Sequence, residues 1–299
     1  MPLYDVVILT DSRYVNPSAP GQYVQNILTE DRLVQQSLEQ KQLKVTRKDW
    51  ADPGFDWSSA KAILFRTTWD YFDKFDAFKA WLTLVSAKTK LINSTEIILW
   101  NLDKSYLGEL EKKGVRIIPT LYLRKGETRS LAELHDQSGW DETVLKPTVG
   151  GAGRHTFRLR KNALGVQETN FRKLIAEEDF MLQPFQKSIT EKGEWSLVFF
   201  GDTFSHAVLK TARKGDFRVQ DDFGGTVHDY QPSQKEIDFA LKALAACPAK
   251  PAYARVDIVV DNNAELAVSE LELIEPELWF RRNPEAADLL SEEILKRLT

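Results

Sequence analysis

Two groups of residues in this chain have types and spacing suited to chemistry. The first is acidic: Asp257 in Arg255-Val256-Asp257-Ile258-Val259, and Glu270 and Glu272 in Ser269-Glu270-Leu271-Glu272-Leu273-Ile274-Glu275-Pro276. Residues two apart share one face of a strand, so Glu270 and Glu272 project together, and a neighbouring hairpin strand can bring Asp257 beside them. Like charges crowded on one face are costly unless a cation joins them. Magnesium, which takes carboxylate oxygens together with nucleotide phosphates, meets that need. A solvated sheet face is the plain alternative.

The second group is a loop, Lys146-Pro147-Thr148-Val149-Gly150-Gly151-Ala152-Gly153-Arg154. Backbone N–H groups of a glycine-rich loop can cradle phosphate, because no Cβ blocks close approach. It is not a P-loop, since no Gly-Lys-Ser/Thr follows. It is not a dinucleotide fingerprint either: Thr156 stands where the third glycine belongs, and a strand follows in place of a helix. A flap over phosphates or a plain hairpin turn remains, and Lys146 directly before the loop favours the flap. Further cations lie at Lys104, Lys210, Arg213, Lys214 and Arg218. Gly215 and the Asp221–Thr226 stretch mark a segment able to close over phosphates, although a charge run is ordinarily a solvated face.

Other signals carry less. Asp222-Phe223-Gly224 spells the magnesium motif of protein kinases, but no His-Arg-Asp precedes it. The four histidines lack metal-ligand spacing, and no Gly-x-Ser-x-Gly elbow is present. Cys247, between Ala246 and Pro248, has no adjacent base and reads as packing.

The elements that must position these residues follow from pattern. Leu3–Thr10 is a continuous apolar run, as for a strand buried on both faces. Thr29 can cap a helix through Leu43, and strands are expected at Val45–Lys48, Ala62–Phe65 and Leu91–Ile92. Phe75, Phe78, Trp81, Leu82 and Val85 fall at helical spacing, so the first hundred residues form a small parallel α/β layer. A helix over Lys104–Lys113 stops at Gly114, strand-like Val115–Ile118 follows, and another helix covers Leu131–Asp136. Strands at Thr143–Lys146 and Thr156–Arg160 flank the glycine loop, and Phe180–Gln183 is a further strand. Two hairpins come next: Trp195–Phe200 with Thr203–Leu209 across Gly201-Asp202, and Ala254–Val260 with Glu265–Leu273. Ser233 caps a helix through Ala246, and Pro284 opens the last helix.

Composition bounds the rest. With 299 residues, 42% apolar and 28% charged, the chain is ordinary globular protein and needs no staples. One cysteine excludes an internal disulfide and a cysteine zinc site, and fits a reducing, cytoplasmic location. A net charge of −4 argues against bulk nucleic-acid binding. No run approaches a membrane span, and Met1–Asp11 lacks the basic region of a signal peptide.

The order of the motifs resembles the ATP-grasp superfamily: a lysine in Asn101-Leu102-Asp103-Lys104, a lysine before a glycine flap, a hinge at Gln183-Pro184-Phe185, and a late acidic pair. Glu270 to Pro276 resembles the Glu-x-Asn-x-x-x-Pro metal motif of bacterial glutathione synthetases and ribosomal-protein glutamate ligases. Glu272 stands where those families often carry asparagine, which should strengthen magnesium binding and argues against a direct transfer of their substrate to this chain. A closer resemblance is to the group that includes the cyclo-ligase of cycloserine biosynthesis. It rests on Arg66-Thr67-Thr68-Trp69-Asp70-Tyr71, Phe78, Trp81, Asn93, Trp100 to Lys104, and Glu270 to Pro276.

The resemblance implies an α/β (α+β) ATP-grasp fold. Residues 1–94 would form an N-terminal parallel α/β pre-ATP-grasp domain, 95–186 a central ATP-lid subdomain, and 187–299 a C-terminal antiparallel-sheet subdomain with the magnesium site. Lys104 and Lys146 would contact ATP phosphates under the flap of Gly150, Gly151 and Gly153. Gln183 and Phe185 would present backbone groups to adenine, and Glu194 would hold the ribose hydroxyls. Asp257, Glu270 and Glu272 would hold two magnesium ions. Ser196 occupies a place where related ligases carry arginine, with Lys210 and Arg218 as the available substitutes. Arg66 could pair a substrate carboxylate, with Asp11–Gly21 and Arg66–Tyr71 as substrate loops; Trp69 and Tyr71 read equally as core aromatics. The implied activity is ATP-dependent carboxylate–amine ligation on a small amino-acid-like substrate through an acyl phosphate. Ring closure within one molecule, and a homo-dimer or homo-tetramer, are expected. A phosphotransferase or a silent nucleotide-binding regulator on the same scaffold are the alternatives.

Overall fold

The computed structural model describes residues 2–213, 215–219 and 224–298. Thirteen strands form three sheets among these residues. The first sheet is parallel, in the order β2 (Val45–Asp49), β1 (Tyr4–Thr10), β3 (Ala60–Thr67), β4 (Lys90–Ile92). Both faces of β1 are buried, as its unbroken apolar run requires. Val6 and Ile8 pack with Val34 and Leu38 of helix Gln22–Gln40 and with the last helix, Ala286–Leu298. Val7 and Leu9 pack with Phe78, Leu82 and Val85 of helix Phe75–Ser86. The first of these helices starts at Gln22, a full turn or more before Thr29, because Ile27 extends the apolar side of Val34 and Leu38.

The second sheet is antiparallel, in the order β5 (Leu121–Leu123), β8 (Phe180–Pro184), β6 (Glu142–Pro147), β7 (Phe157–Arg160). Its core is aliphatic and aromatic, with Leu145, Leu159, Phe180 and Leu182 against helices Leu131–Ser138 and Gly165–Ile175. The third sheet is also antiparallel: β11 (Thr226–Tyr230), β10 (Thr203–Thr211), β9 (Glu194–Phe200), β12 (Tyr253–Val260), β13 (Leu266–Glu272). Helix Gln234–Ala245 covers it, opened by a reciprocal capping box between Ser233 and Glu236.

Two features differ from expectation. The segment after Thr95 folds as two short helices, Thr95–Asn101 and Tyr106–Lys112, and Val115–Ile118 adds only a bridge to Val268. The apolar residues of this segment, Ile97, Tyr106, Leu107, Leu110 and Ile117, join the core of the five-stranded sheet and not that of the small sheet. No helix among the described residues is long and apolar enough to cross a membrane.

Candidate active site

A cleft of about 260 Å³ is lined by strands of the two antiparallel sheets and by Trp69, Tyr71 and Phe72, which follow β3 of the parallel sheet. Strands β12 and β13 build its floor. Their register sets Asp257 opposite Glu270 and Arg255 opposite Glu272, so period two places four charged side chains on one face. On the next strand, Ser196 lies beside Asp257.

β13 is an edge strand, and its free backbone groups must find partners. Helix Thr95–Asn101 and its neighbours supply them. Asn101 Nδ2 donates to the Leu271 carbonyl at 2.8 Å, and its Oδ1 accepts from Leu273 N–H at 2.9 Å. Leu271 N–H also donates to Tyr106 Oη at 2.8 Å. Asn93 Nδ2 donates to the carbonyls of Leu273 and Tyr253 at 2.7 and 2.9 Å, and its Oδ1 accepts from Ala252 N–H. Asn93 and Asn101 thus fix the strand that carries Glu270 and Glu272.

The carboxylates are neutralised by bases of the chain itself. Asp257 accepts from Ser196 Oγ at 2.6 Å, from Lys210 Nζ at 2.9 Å, and from Arg255 at 2.8 and 2.9 Å. Lys210 also pairs with Glu194 at 2.6 Å, and Glu194 accepts from Ser269 Oγ at 2.6 Å. Glu270 pairs with Lys104 at 3.2 Å, and Glu272 accepts from Arg255. Burial opposes the charge of Asp257, but Arg255 and Lys210 outweigh it and hold the carboxyl well below its usual range. Burial likewise opposes Glu270, and Lys104 and Lys146 hold it down. Glu272 goes the other way, to about 8, pushed up by burial and by Glu270 and Asp257 in spite of Arg255. Burial lowers Lys146, and Lys104 adds to that.

Among the described residues, no group of three or more His, Cys, Asp or Glu side chains is arranged to hold a metal ion. Asp257 is enclosed: its side chain is 2% exposed and both oxygens are taken. Glu270 and Glu272 retain 27% and 29% exposure and line the cleft. Their hard oxygen donors suit magnesium, and Glu272, raised by burial and by its acidic neighbours in spite of Arg255, would be favoured by further positive charge. The fit is therefore to Glu270 and Glu272, with Asp257 set behind them.

The glycine loop connects β6 to β7 over the cleft. Ala152, Gly153 and His155 all take left-handed backbone angles, and Gly153 has φ +66°. A Cβ on Gly151 would meet the Phe72 ring at 3.2 Å, so the flap seats closely on the turn that follows β3. Arg154 Nε adds an ion pair to Asp73 at 3.1 Å. Lys104 reaches the flap from below, donating from Nζ to the Gly150 carbonyl and from its N–H to Thr148 at 2.8 Å. Lys146 lines the cleft and makes no ion pair or side-chain hydrogen bond among the described residues. Gly193 turns the chain into Glu194 at φ +89°, where any Cβ would collide with the Lys210 carbonyl.

Several expected residues sit differently. Gln183 lines the cleft, with Nε2 donating to Thr120 Oγ1 at 2.9 Å. Phe185 does not: its N–H donates to the Glu142 carbonyl, its own carbonyl accepts from Asn262, and its ring carries Arg158 at 3.6 Å. Its backbone is spent inside the fold, and Gln186 takes the place in the lining. Arg66 is 1% exposed and also outside the lining. It donates to the Pro276 carbonyl at 3.0 Å, lies 3.8 Å from Asp31 and stacks over Phe280. Arg66 therefore anchors the end of the acidic motif from behind and lies outside the cleft lining. Arg218 lines the cleft and pairs with Asp216 at 2.8 Å, whereas Arg213 is outside the lining. Lys214 and residues 221–223 of the Asp221–Thr226 stretch lie outside the described residues. Of the substrate loops, Trp69 and Tyr71 line the cleft, but Asp11–Gly21 gives way to Tyr23.

Arg255 and Glu275 are the site residues that motif reading missed. Arg255 was legible in principle, two positions from Asp257 on one strand face. Glu275 lines the cleft with Tyr71 bonded to its carboxyl group, and burial pushes it up to about 7 from 4.5 in spite of that bond. The folded chain thus holds this proton more tightly than the unfolded chain, and Glu275 costs stability as pH rises from 4.5 through 7. Glu275→Gln is expected to gain about 1–3 kcal/mol on the wild type across that window. Urea midpoints at pH 4.5 and pH 8 check this, and a difference that does not change with pH would contradict it.

A family model described as the N-terminal domain of D-cycloserine synthetase DcsG matches residues 6–93. The cycloserine biosynthesis protein DcsG of Streptomyces lavendulae is 31% identical over 269 residues, covering 84% of this chain and 87% of that protein. The crystal structure of D-cycloserine synthetase DcsG superposes with a TM-score of 0.86 at 27% identity, covering 98% of this chain and 99% of that one. D-alanine–D-alanine ligase from Bacillus anthracis, complexed with ATP, shares the fold, with a TM-score of 0.69 at 15% identity over 99% and 97% of the two chains. The match in sequence over most of both chains, with a superposition that spans nearly all of each, places this chain in the D-cycloserine synthetase family of ATP-grasp ligases, ATP-dependent enzymes that form C–N bonds.

Proposed function

We propose that the cleft activates the carboxylate of a small amino-acid-like substrate with ATP and closes it onto a nitrogen of the same molecule. A carboxylate oxygen attacks the γ-phosphorus, the bond to the ADP oxygen breaks, and an acyl phosphate forms. The nitrogen then attacks the acyl carbon, loses a proton, and phosphate leaves. The supporting observation is the set of opposed charges under the flap, in which Lys104, Lys146, Lys210 and Arg255 face Glu194, Asp257, Glu270 and Glu272. Lys104 and Lys146 stand beneath the glycine loop to meet phosphate oxygens, and Lys210 is held between Glu194 and Asp257. Positioning and charge do the work in such a transfer.

The charges explain why a divalent cation belongs to this reading. Glu194, Asp257, Glu270 and Glu272 face Lys104, Lys146, Lys210 and Arg255, which leaves little net attraction for a triphosphate. A pair of magnesium ions held by Glu270 and Glu272, with Asp257 behind them, would supply that positive charge. Tyr23, Trp69, Tyr71 and Trp279 wall the cleft with aromatic rings and limit the acceptor to a small molecule.

The test is ADP release screened over amino acids and their O-ureido and aminooxy derivatives, with phosphate measured in parallel. Equal amounts of ADP and phosphate, with loss of the free carboxylate, are expected. ADP with a phosphorylated product and no free phosphate would establish a phosphotransferase and overturn the ligase reading.

A further inference from the structure

Glu194, Asp257, Glu270 and Glu272 each have a basic partner in the cleft, and Glu275 has none among the described residues. Glu275 lies past the end of β13, where two aromatic residues from the loop after β3 hold it. Trp69 Nε1 donates to its carbonyl oxygen at 2.9 Å, and the Tyr71 hydroxyl bonds to its carboxyl group. Its Oε2 is buried and has no hydrogen-bond partner. The charged groups that bear on it are Lys104, which attracts, and Glu270, which repels. A carboxyl group lining a cleft with an orphaned oxygen is incomplete, since buried acceptors are ordinarily satisfied.

We propose that Glu275, oriented by Trp69 and Tyr71, receives the ammonium group of the substrate. The inference rests on the reading of the cleft as an amino-acid ligase. An amino acid arrives with both charges. Its carboxylate is drawn to the lysines under the flap, and the same lysines repel its ammonium group. Glu275 supplies an acceptor with no competing base, and an ammonium N–H donating to it forms a charge-assisted hydrogen bond. A plain carboxylic acid would leave that oxygen unpaired, so Glu275 selects amino acids against acids of the same size.

The test pairs alanine and serine, in both configurations, with propionate and 3-hydroxypropionate. Each is offered with ATP and magnesium, and both ADP release and ligand-induced thermal shift are read. The wild type should prefer the amino acids. Glu275→Gln, of the same shape, should reduce that preference by about 10- to 100-fold through KM for the amino acid, with KM for ATP unchanged. Glu275→Asp should keep part of the preference. A wild type that shows no preference in either assay, or a Glu275→Gln variant that keeps it, overturns the inference. A loss of ATP binding in Glu275→Gln equal to the loss for amino acids also overturns it, because the role would then be structural. Preference for amino acids with a phosphorylated product supports Glu275 as the ammonium site and overturns the ligase reading alone.

Discussion

Glu270→Gln is expected to lower ADP release by about 100-fold or more while leaving the fold intact. Glu270 is the acidic residue on which the phosphate end of the cleft turns. Lys104 pairs with it at 3.2 Å, Lys146 helps hold it ionised, and Asp257 lies across the register from it. Glutamine keeps the shape and loses the charge. On the proposed reading a magnesium ligand would go, and charge stabilisation of this kind contributes several kcal/mol to a transition state. The fold should tolerate the change because the core contribution of β13 comes from Leu271 and its neighbours Val268 and Leu273, which face away. Single-turnover ADP release with a magnesium titration checks the prediction. A variant that turns over within tenfold of the wild type, at unchanged magnesium dependence, would remove Glu270 from the metal site.

What could be read from the sequence was whatever local period determines. Period two put Glu270 and Glu272 on one face, and the register adds Asp257. The turn at Gly201-Asp202 joins β9 to β10, with Gly201 at φ +58°. Ser233 caps its helix through the predicted spacing. Where residues sit differently from expectation, tertiary partners decide it. Arg66 sits in a strand beside the loop expected to meet substrate, yet Asp31 and the Pro276 carbonyl claim its guanidinium from 35 and 210 residues away in sequence. Phe185 occupies a hinge, but its N–H belongs to the Glu142 carbonyl of the next strand. Asn93 and Asn101 were noticed by resemblance, and only the exposed edge of β13 explains what they do. The strand Thr226–Tyr230 has an exposed, polar pattern with little apolar alternation to mark it.

Arg255→Met is expected to cost about 3–5 kcal/mol of stability. Arg255 makes two hydrogen bonds to Asp257 and one to Glu272, and its guanidinium lies over the Trp279 ring at 5.2 Å. Methionine preserves the apolar stem, so the loss comes from charge. Asp257 keeps Lys210 and Ser196 as partners, but Glu272 keeps none among the partners described here. The cost should therefore concentrate on Glu272, and a second change tests that. In the Arg255→Met background, Glu272→Gln should restore part of the lost stability, whereas in the wild type it removes a partner of Arg255. Residues that share one network do not add, and the sign of this coupling is the observable. Urea unfolding of the four proteins of the cycle measures it. Additive losses would mean that Arg255 acts through packing on Trp279, and that the ion pair with Glu272 contributes nothing to holding the strand in place.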